Sequence, residues 1–281
     1  MPDEVGFWQS WFVWRDAMAV AVLSAAALSY LGIWVVLKRV VYVPLALSQV
    51  SAVGVVAAYL FASLLGLHPH CDRGCAIVVD PAWISLLFAL ATAFFFARPR
   101  GESSQAVVVA YLSAGALVLI VGGFVRQDLH DLQTVLFGNA VLVDTVQIAY
   151  VGAAALVTVA IHWLLYERFL YVSFDPDAAG AAGIRLFRTE VLLYATFALM
   201  ISVVTRAIGA LPAFGLTVLP ALGGLRLGRS MRAAAAIAVA AGVSSAGLGY
   251  YASFVLGLPT GATMVALAGL IYGAALALPR R

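Results

Sequence analysis

Charge is scarce in this chain, and lysine nearly absent. Of 281 residues, 10% are charged and 64% hydrophobic, and the mean hydropathy is +1.04. Soluble domains carry roughly a quarter charged residues, so a water-soluble globular fold is excluded. Lys38 is the single lysine and is followed by Arg39, which rules out a G-x-x-x-x-G-K-[S/T] phosphate loop. Any ATP used alongside this chain must be bound by another subunit. There is no G-x-S-x-G elbow, no H-E-x-x-H and no aspartate pair inside an apolar run, which argues against an intramembrane enzyme and leaves a purely structural membrane protein as one alternative. Ionisable groups are almost missing from the apolar runs as well. His162 lies near the end of one, where a lone histidine reads as a snorkelling or hydrogen-bonded residue rather than a proton relay. The first fourteen residues carry Asp3 and Glu4 and no basic segment, so no cleavable signal peptide is expected and the first span acts as the targeting signal.

What is abundant is apolar sequence of spanning length. Charge-free runs occur at Ala17–Leu37, Val40–Leu67, Pro81–Ala97, Gln105–Val125, Thr145–Tyr166 and Ala233–Pro279, the last long enough for two crossings; Val191–Thr205 and Ala207–Leu225 are shorter. The expected fold is an all-α polytopic membrane protein of about eight to nine transmembrane helices, a single domain over residues 1–281. If Lys38 and Arg39 are cytoplasmic, alternation brings Arg98, Arg100, Arg168, Arg185, Arg188, Arg226, Arg229, Arg232, Arg280 and Arg281 to the same side. Arg15, Arg73, Arg126 and Arg206 then face out. This bias puts the N-terminus outside and the C-terminus in the cytoplasm. The net charge of +3 reflects that topology and does not indicate nucleic-acid binding.

Pro212, Gly215, Pro220, Gly223 and Gly224 crowd one segment. A regular helix would bear roughly 1 kcal/mol per glycine and 3 per proline, so an interrupted helix is expected here. Broken helices are tolerated beside protein or a water-filled cavity, which makes Gly215 and Pro220 candidates for the border of a translocation path. Small residues over Ala233–Ala241, at Gly242 and Ala246, and at Gly249 suit close helix packing.

Between two apolar segments lies Ser173-Phe174-Asp175-Pro176-Asp177-Ala178-Ala179-Gly180-Ala181-Ala182-Gly183-Ile184. Asp175 is suited to cap a short helix, Pro176 to its first position and Asp177 to its first turn. Gly180 and Gly183 remove side chains where another protein could press. Elsewhere the chain reads Gly32-Ile33-Trp34-Val35-Val36-Leu37-Lys38-Arg39, then Leu45-Ala46-Leu47-Ser48-Gln49. Further on come Leu136-Phe137-Gly138-Asn139, Gly209-Ala210-Leu211 with Leu219-Pro220-Ala221, and Leu258-Pro259-Thr260-Gly261. In this order the motifs resemble the integral-membrane permeases of bacterial ABC importers for zinc, manganese and iron, over nearly the whole chain. The resemblance implies a cytoplasmic coupling helix formed by Phe174, Asp175, Pro176, Asp177, Gly180 and Gly183. It also implies ABC ATPase subunits that bind ATP, an extracytoplasmic solute-binding protein, a second permease copy in a homodimer or heterodimer, and a bacterial inner-membrane location. The chain itself is expected to hold no cofactor, only a transported metal ion.

One departure from that family matters. Where it has D-A-L-S-H, with an aspartate and a histidine four residues apart, this chain has Leu45 and Gln49. Leucine cannot ligate, and a glutamine carbonyl is a hard donor poorly suited to zinc. Ser48, Gln49 and Ser51 still offer a polar stretch of path, while a metal chelate or another small solute becomes an alternative cargo. Candidate metal ligands gather instead in outward loops: His68, His70, Cys71 and Cys75 in one, Asp128 and His130 in the other. The plainer reading of Cys71 and Cys75 is a small-loop disulfide; the run around Asp128 and His130 could meet a binding protein or a metal, its plainer reading being a solvated rim.

Overall fold

A computed structural model describes residues 11–64, 81–98, 104–124 and 145–278, and among these every regular element is helical. The order is α1 (Trp11–Leu37), α2 (Val43–Leu64), α3 (Pro81–Phe96), α4 (Ser104–Phe124), α5 (Thr145–Leu164), α6 (Tyr166–Phe174), α7 (Pro176–Ala181), α8 (Leu186–Ile208), α9 (Ala210–Leu227), α10 (Met231–Leu256) and α11 (Thr260–Ala277). Eight of these, α1, α2, α4, α5, α8, α9, α10 and α11, are long and apolar enough to cross a membrane. At 16 residues, α3 is about 24 Å long at 1.5 Å per residue, slightly short of a ~30 Å hydrocarbon core. Among the described residues the expected eight to nine spans resolve into eight full-length helices and one short apolar one.

Helices dominate because lipid offers no partner for backbone N–H and C=O groups, which an α-helix satisfies within itself. α1 and α8 are the most enclosed elements. α1 packs on α9, α10 and α5; α8 packs on α2, α3, α5 and α9. On one flank α2 holds α3 and α4, and on the other α9, α10 and α11 contact one another. Trp34, Tyr194, Phe169, Phe197, Leu31 and Leu193 are fully buried at the centre. The small-residue positions of α10 are points of contact, as their sequence suggested. A Cβ on Gly242 would overlap the Ser29 hydroxyl, and one on Gly249 would lie 2.6 Å from the Met264 Cα.

The interruption expected among Pro212, Gly215, Pro220, Gly223 and Gly224 is not found. α9 runs unbroken from Ala210 to Leu227 with Pro220 inside it, and the break between helices falls earlier, at Gly209 (φ 94°, ψ 164°). Pro212 sits in the first turn, where a missing N–H is tolerated. Pro220 deprives the Leu216 carbonyl of its helical donor, and the Ser29 hydroxyl of α1 donates to that oxygen at 3.0 Å. The glycines serve close packing. A Cβ on Gly215 would lie 2.7 Å from a Val265 methyl, and one on Gly224 would overlap the Ala234 carbonyl oxygen.

Ser29→Ala should therefore lower stability by about 1–2 kcal/mol, the cost of stranding a buried carbonyl. In a Pro220→Ala background, which restores the N–H, the same substitution should cost almost nothing. Thermal unfolding of the four proteins in detergent measures both effects; equal penalties in the two backgrounds would rule out the proposed substitution of one donor for the other.

Candidate functional site

The short polar helix forms as its sequence dictates. α6 ends at Phe174, and Asp175 then takes an extended conformation (φ −148°, ψ 88°) that turns the chain. Its carboxylate accepts the Ala178 N–H at 2.9 Å, Pro176 occupies the first position, and Asp177 sits in the first turn. At the far end Gly183 N–H donates to the Gly180 carbonyl and Ile184 N–H to the Ala179 carbonyl, both at 3.0 Å. This paired arrangement closes a helix through a left-handed residue, and Gly183 supplies it with φ +79°. Gly183 thus has a local reason to be glycine. Gly180 does not: a Cβ there would meet only Leu186 Cδ1, at an ordinary 3.5 Å.

Around this helix, Ala179 alone is buried, while residues 174–178 and 180–183 are exposed. Phe174 is 62% exposed directly beside it. The result is a ridge carrying a large aromatic and two carboxylates, anchored by one methyl group. Its base is firm. Just beyond α7, Glu190 of α8 pairs with Lys38 at 2.7 Å, and the Lys38 ammonium also lies 5.8 Å from the Tyr194 ring centre. Lys38 reaches this position from a tight turn between α1 and α2 in which Arg39 is left-handed (φ 62°). The only lysine in the chain therefore ties the α1–α2 turn to the start of α8. Sequence reading did not find this pair, because its members are 152 residues apart.

On α2, Leu45 and Gln49 lie one turn apart, and both are partly buried. The Gln49 Oε1 atom is buried without a hydrogen-bond partner. It faces α4, 3.9 Å from where a Cβ on Gly115 would stand. Ser48 is fully buried and its hydroxyl donates to the Leu45 carbonyl at 2.9 Å. Ser51 faces α8 and α3: its hydroxyl donates to Ser202 Oγ at 3.2 Å, and Ser202 lies 3.3 Å from Ser85 Oγ. Ser85 and Ser202 were not among the sequence candidates; lone serines in apolar helices carry no signal of which neighbours they meet. Ser202 also lines a cleft of about 250 Å³ between α3, α5 and α8, with Arg206 at its rim. Gly215 stands apart, packed on α11. Pro220 borders a cleft of about 160 Å³ between α9, α10 and α11.

His162 is fully buried rather than snorkelling. Its Nε2 lies 2.9 Å from Thr196 Oγ1, and the Phe169 and Trp34 rings stand 4.9 and 5.4 Å away, edge-on. Among the described residues no three His, Cys, Asp or Glu side chains gather as a metal site. The loop candidates His68, His70, Cys71, Cys75, Asp128 and His130 lie outside the described residues.

The sequence profile described as the ABC 3 transport family matches residues 11–278. The manganese transport system membrane protein MntC of Listeria monocytogenes is 23% identical over 258 residues, covering 92% of this chain and 88% of that protein. The high-affinity zinc uptake system membrane protein ZnuB of Haemophilus influenzae is 22% identical over 214 residues, 76% of this chain and 77% of that one. Among solved structures, PsaBC from Streptococcus pneumoniae in complex with Fab superposes with a TM-score of 0.78 at 19% identity, over 93% of this chain and 90% of that chain.

Proposed function

Because the chain belongs to the ABC 3 transport family, we propose that it is the permease subunit of an ATP-driven importer that carries a divalent transition metal, manganese or zinc, across the bacterial cytoplasmic membrane. The observation that carries this reading is the capped, solvent-exposed helix α7 in a chain matched by that family over residues 11–278. The cargo class follows the named functions of its manganese and zinc relatives. With no phosphate-loop lysine in the sequence, ATP hydrolysis belongs to a separate subunit. Phe174, Asp175, Pro176, Asp177 and Gly180 form the ridge that subunit would grip, with Gly183 setting its shape. The arginine distribution supports an orientation with this ridge and the C-terminus in the cytoplasm and the N-terminus outside. A second permease copy and an extracytoplasmic binding protein complete the assembly.

In this reading the cargo passes along α2, beside Leu45 and Gln49 on the side toward α4 and Ser48 and Ser51 on the side toward α8, while Gly215 and Pro220 shape α9 behind it and supply no donor. The donor-poor stretch of α2 favours a second reading, in which the cargo is a metal chelate or another small solute. A bare ion needs several donors to replace its hydration shell, and one unpartnered glutamine oxygen is a poor substitute.

Metal binding to the purified protein separates the two. The unaltered chain should bind manganese and zinc weakly at α2, whereas Leu45→Asp combined with Gln49→His should create measurable affinity, since the two positions share one helix face. No gain in the double variant, together with cellular uptake of a chelate but not of the free ion, would favour the second reading.

A further inference from the structure

An apolar groove of about 680 Å³ runs along the outside of α1 between α5 and α10. Its floor is made of small residues, Ala26, Ala27, Gly152 and Ala160, and its walls of carbon from Leu23, Leu156 and Val239. At Tyr30, Val159 and Trp163 the groove meets a second cleft, of about 720 Å³. There the chemistry changes. Arg168 of α6 and Arg232, in the first turn of α10, line the cleft with Tyr166 and with Glu167, the one carboxylate among its lining residues. Both arginines are exposed. Neither forms an ion pair with another described residue. Trp163, 79% exposed, stands with Tyr30 at the junction, as amphipathic rings do at the boundary between headgroups and acyl chains.

We propose that this composite surface is a binding site for an anionic phospholipid of the leaflet nearest α6 and α7. One acyl chain lies in the groove over Ala27 and Gly152, and the phosphate sits between Arg168 and Arg232. The charge supports this occupant over a zwitterionic lipid: two guanidinium groups against one carboxylate leave the mouth net positive, and basic pockets between transmembrane helices select anionic headgroups. The groove supports a lipid over a free phosphate ester, because an apolar slot adjoining the cationic mouth suits an acyl chain. The site links α6, which leads into α7, with α1 and α10. It is independent of which cargo the protein carries.

Native mass spectrometry of the detergent-purified protein provides the test, with palmitoyl-oleoyl phosphatidylglycerol and phosphatidylethanolamine as probes at equal concentration. The unaltered chain should retain phosphatidylglycerol several-fold better. Arg168→Gln with Arg232→Gln should cut that retention about tenfold, from the loss of two cationic partners of the headgroup, and lower that of phosphatidylethanolamine, whose ammonium offsets its phosphate, much less. Filling the groove with Gly152→Leu and Ala160→Leu should lower phosphatidylglycerol retention with both arginines intact. Excess glycerol 3-phosphate should not displace the lipid. Equal retention of the two lipids by the unaltered chain overturns the proposal even if every variant misfolds. Displacement by glycerol 3-phosphate, or indifference to the filled groove in a folded variant, overturns it in favour of a plain phosphate site.

Discussion

Gly32→Ala should leave little folded protein. A Cβ at this position would overlap the Thr217 carbonyl oxygen, and it would also crowd the Ala221 Cβ at 2.8 Å. Backbone is the obstacle, so no side chain can rotate away, and α1 and α9 must separate. Separation has a second consequence. Ser29, one turn earlier on the same face of α1, would lose its reach to the Leu216 carbonyl, and the oxygen orphaned by Pro220 would have no donor. Overpacking costs about 1–3 kcal/mol and occasionally more, and the stranded carbonyl adds about 1–2 kcal/mol. Together these are a large share of a typical stability of roughly 5–15 kcal/mol. Gly273→Ala is the control, since nothing lies within 4 Å of a Cβ there. Monodisperse yield after size-exclusion chromatography should collapse for the first variant and hold for the second. Equal yields would mean that α1 and α9 are not packed as described.

Gly180→Trp should have the opposite profile, with normal folding and lost transport. The position is exposed, and its Cβ has room beside Leu186, so stability should change by about 0.5 kcal/mol or less, as at other surface sites. An indole on the ridge next to Phe174 would hold a docking ATPase off the backbone. A misfit of about 1–3 kcal/mol at an interface corresponds to roughly fivefold to 150-fold weaker docking, with uptake and stimulated ATP hydrolysis falling together. Gly183 is the less informative target, because any side chain at φ +79° strains the turn before a partner is involved. Unchanged uptake in Gly180→Trp would mean that α7 is an ordinary interhelical loop.

The ridge was legible from sequence because its chemistry is local. Asp175, Pro176 and Gly183 each act within a few residues of themselves, so cap, first turn and exit were all written in one stretch. Span count and helical class followed from composition for a similar reason. The continuity of α9 was not legible. Pro220 breaks a helix unless its orphaned carbonyl finds a donor, and that donor, Ser29, is 187 residues from the Leu216 oxygen it serves. The Lys38–Glu190 pair and the Ser51, Ser85 and Ser202 cluster were hidden in the same way, since each is created by helices that meet only in the fold. Leu45 and Gln49 were readable as a departure from a pattern, but the orientation of Gln49 toward α4 was not.

The most direct measurement of the central claim is manganese and zinc flux in proteoliposomes that contain this chain with or without its ATPase subunits and binding protein. ATP should drive uptake only in the complete assembly, only when supplied on the side to which α7 projects, and cargo should accumulate on that same side. Flux through the permease alone, or flux driven by ATP on the opposite side, would contradict the account.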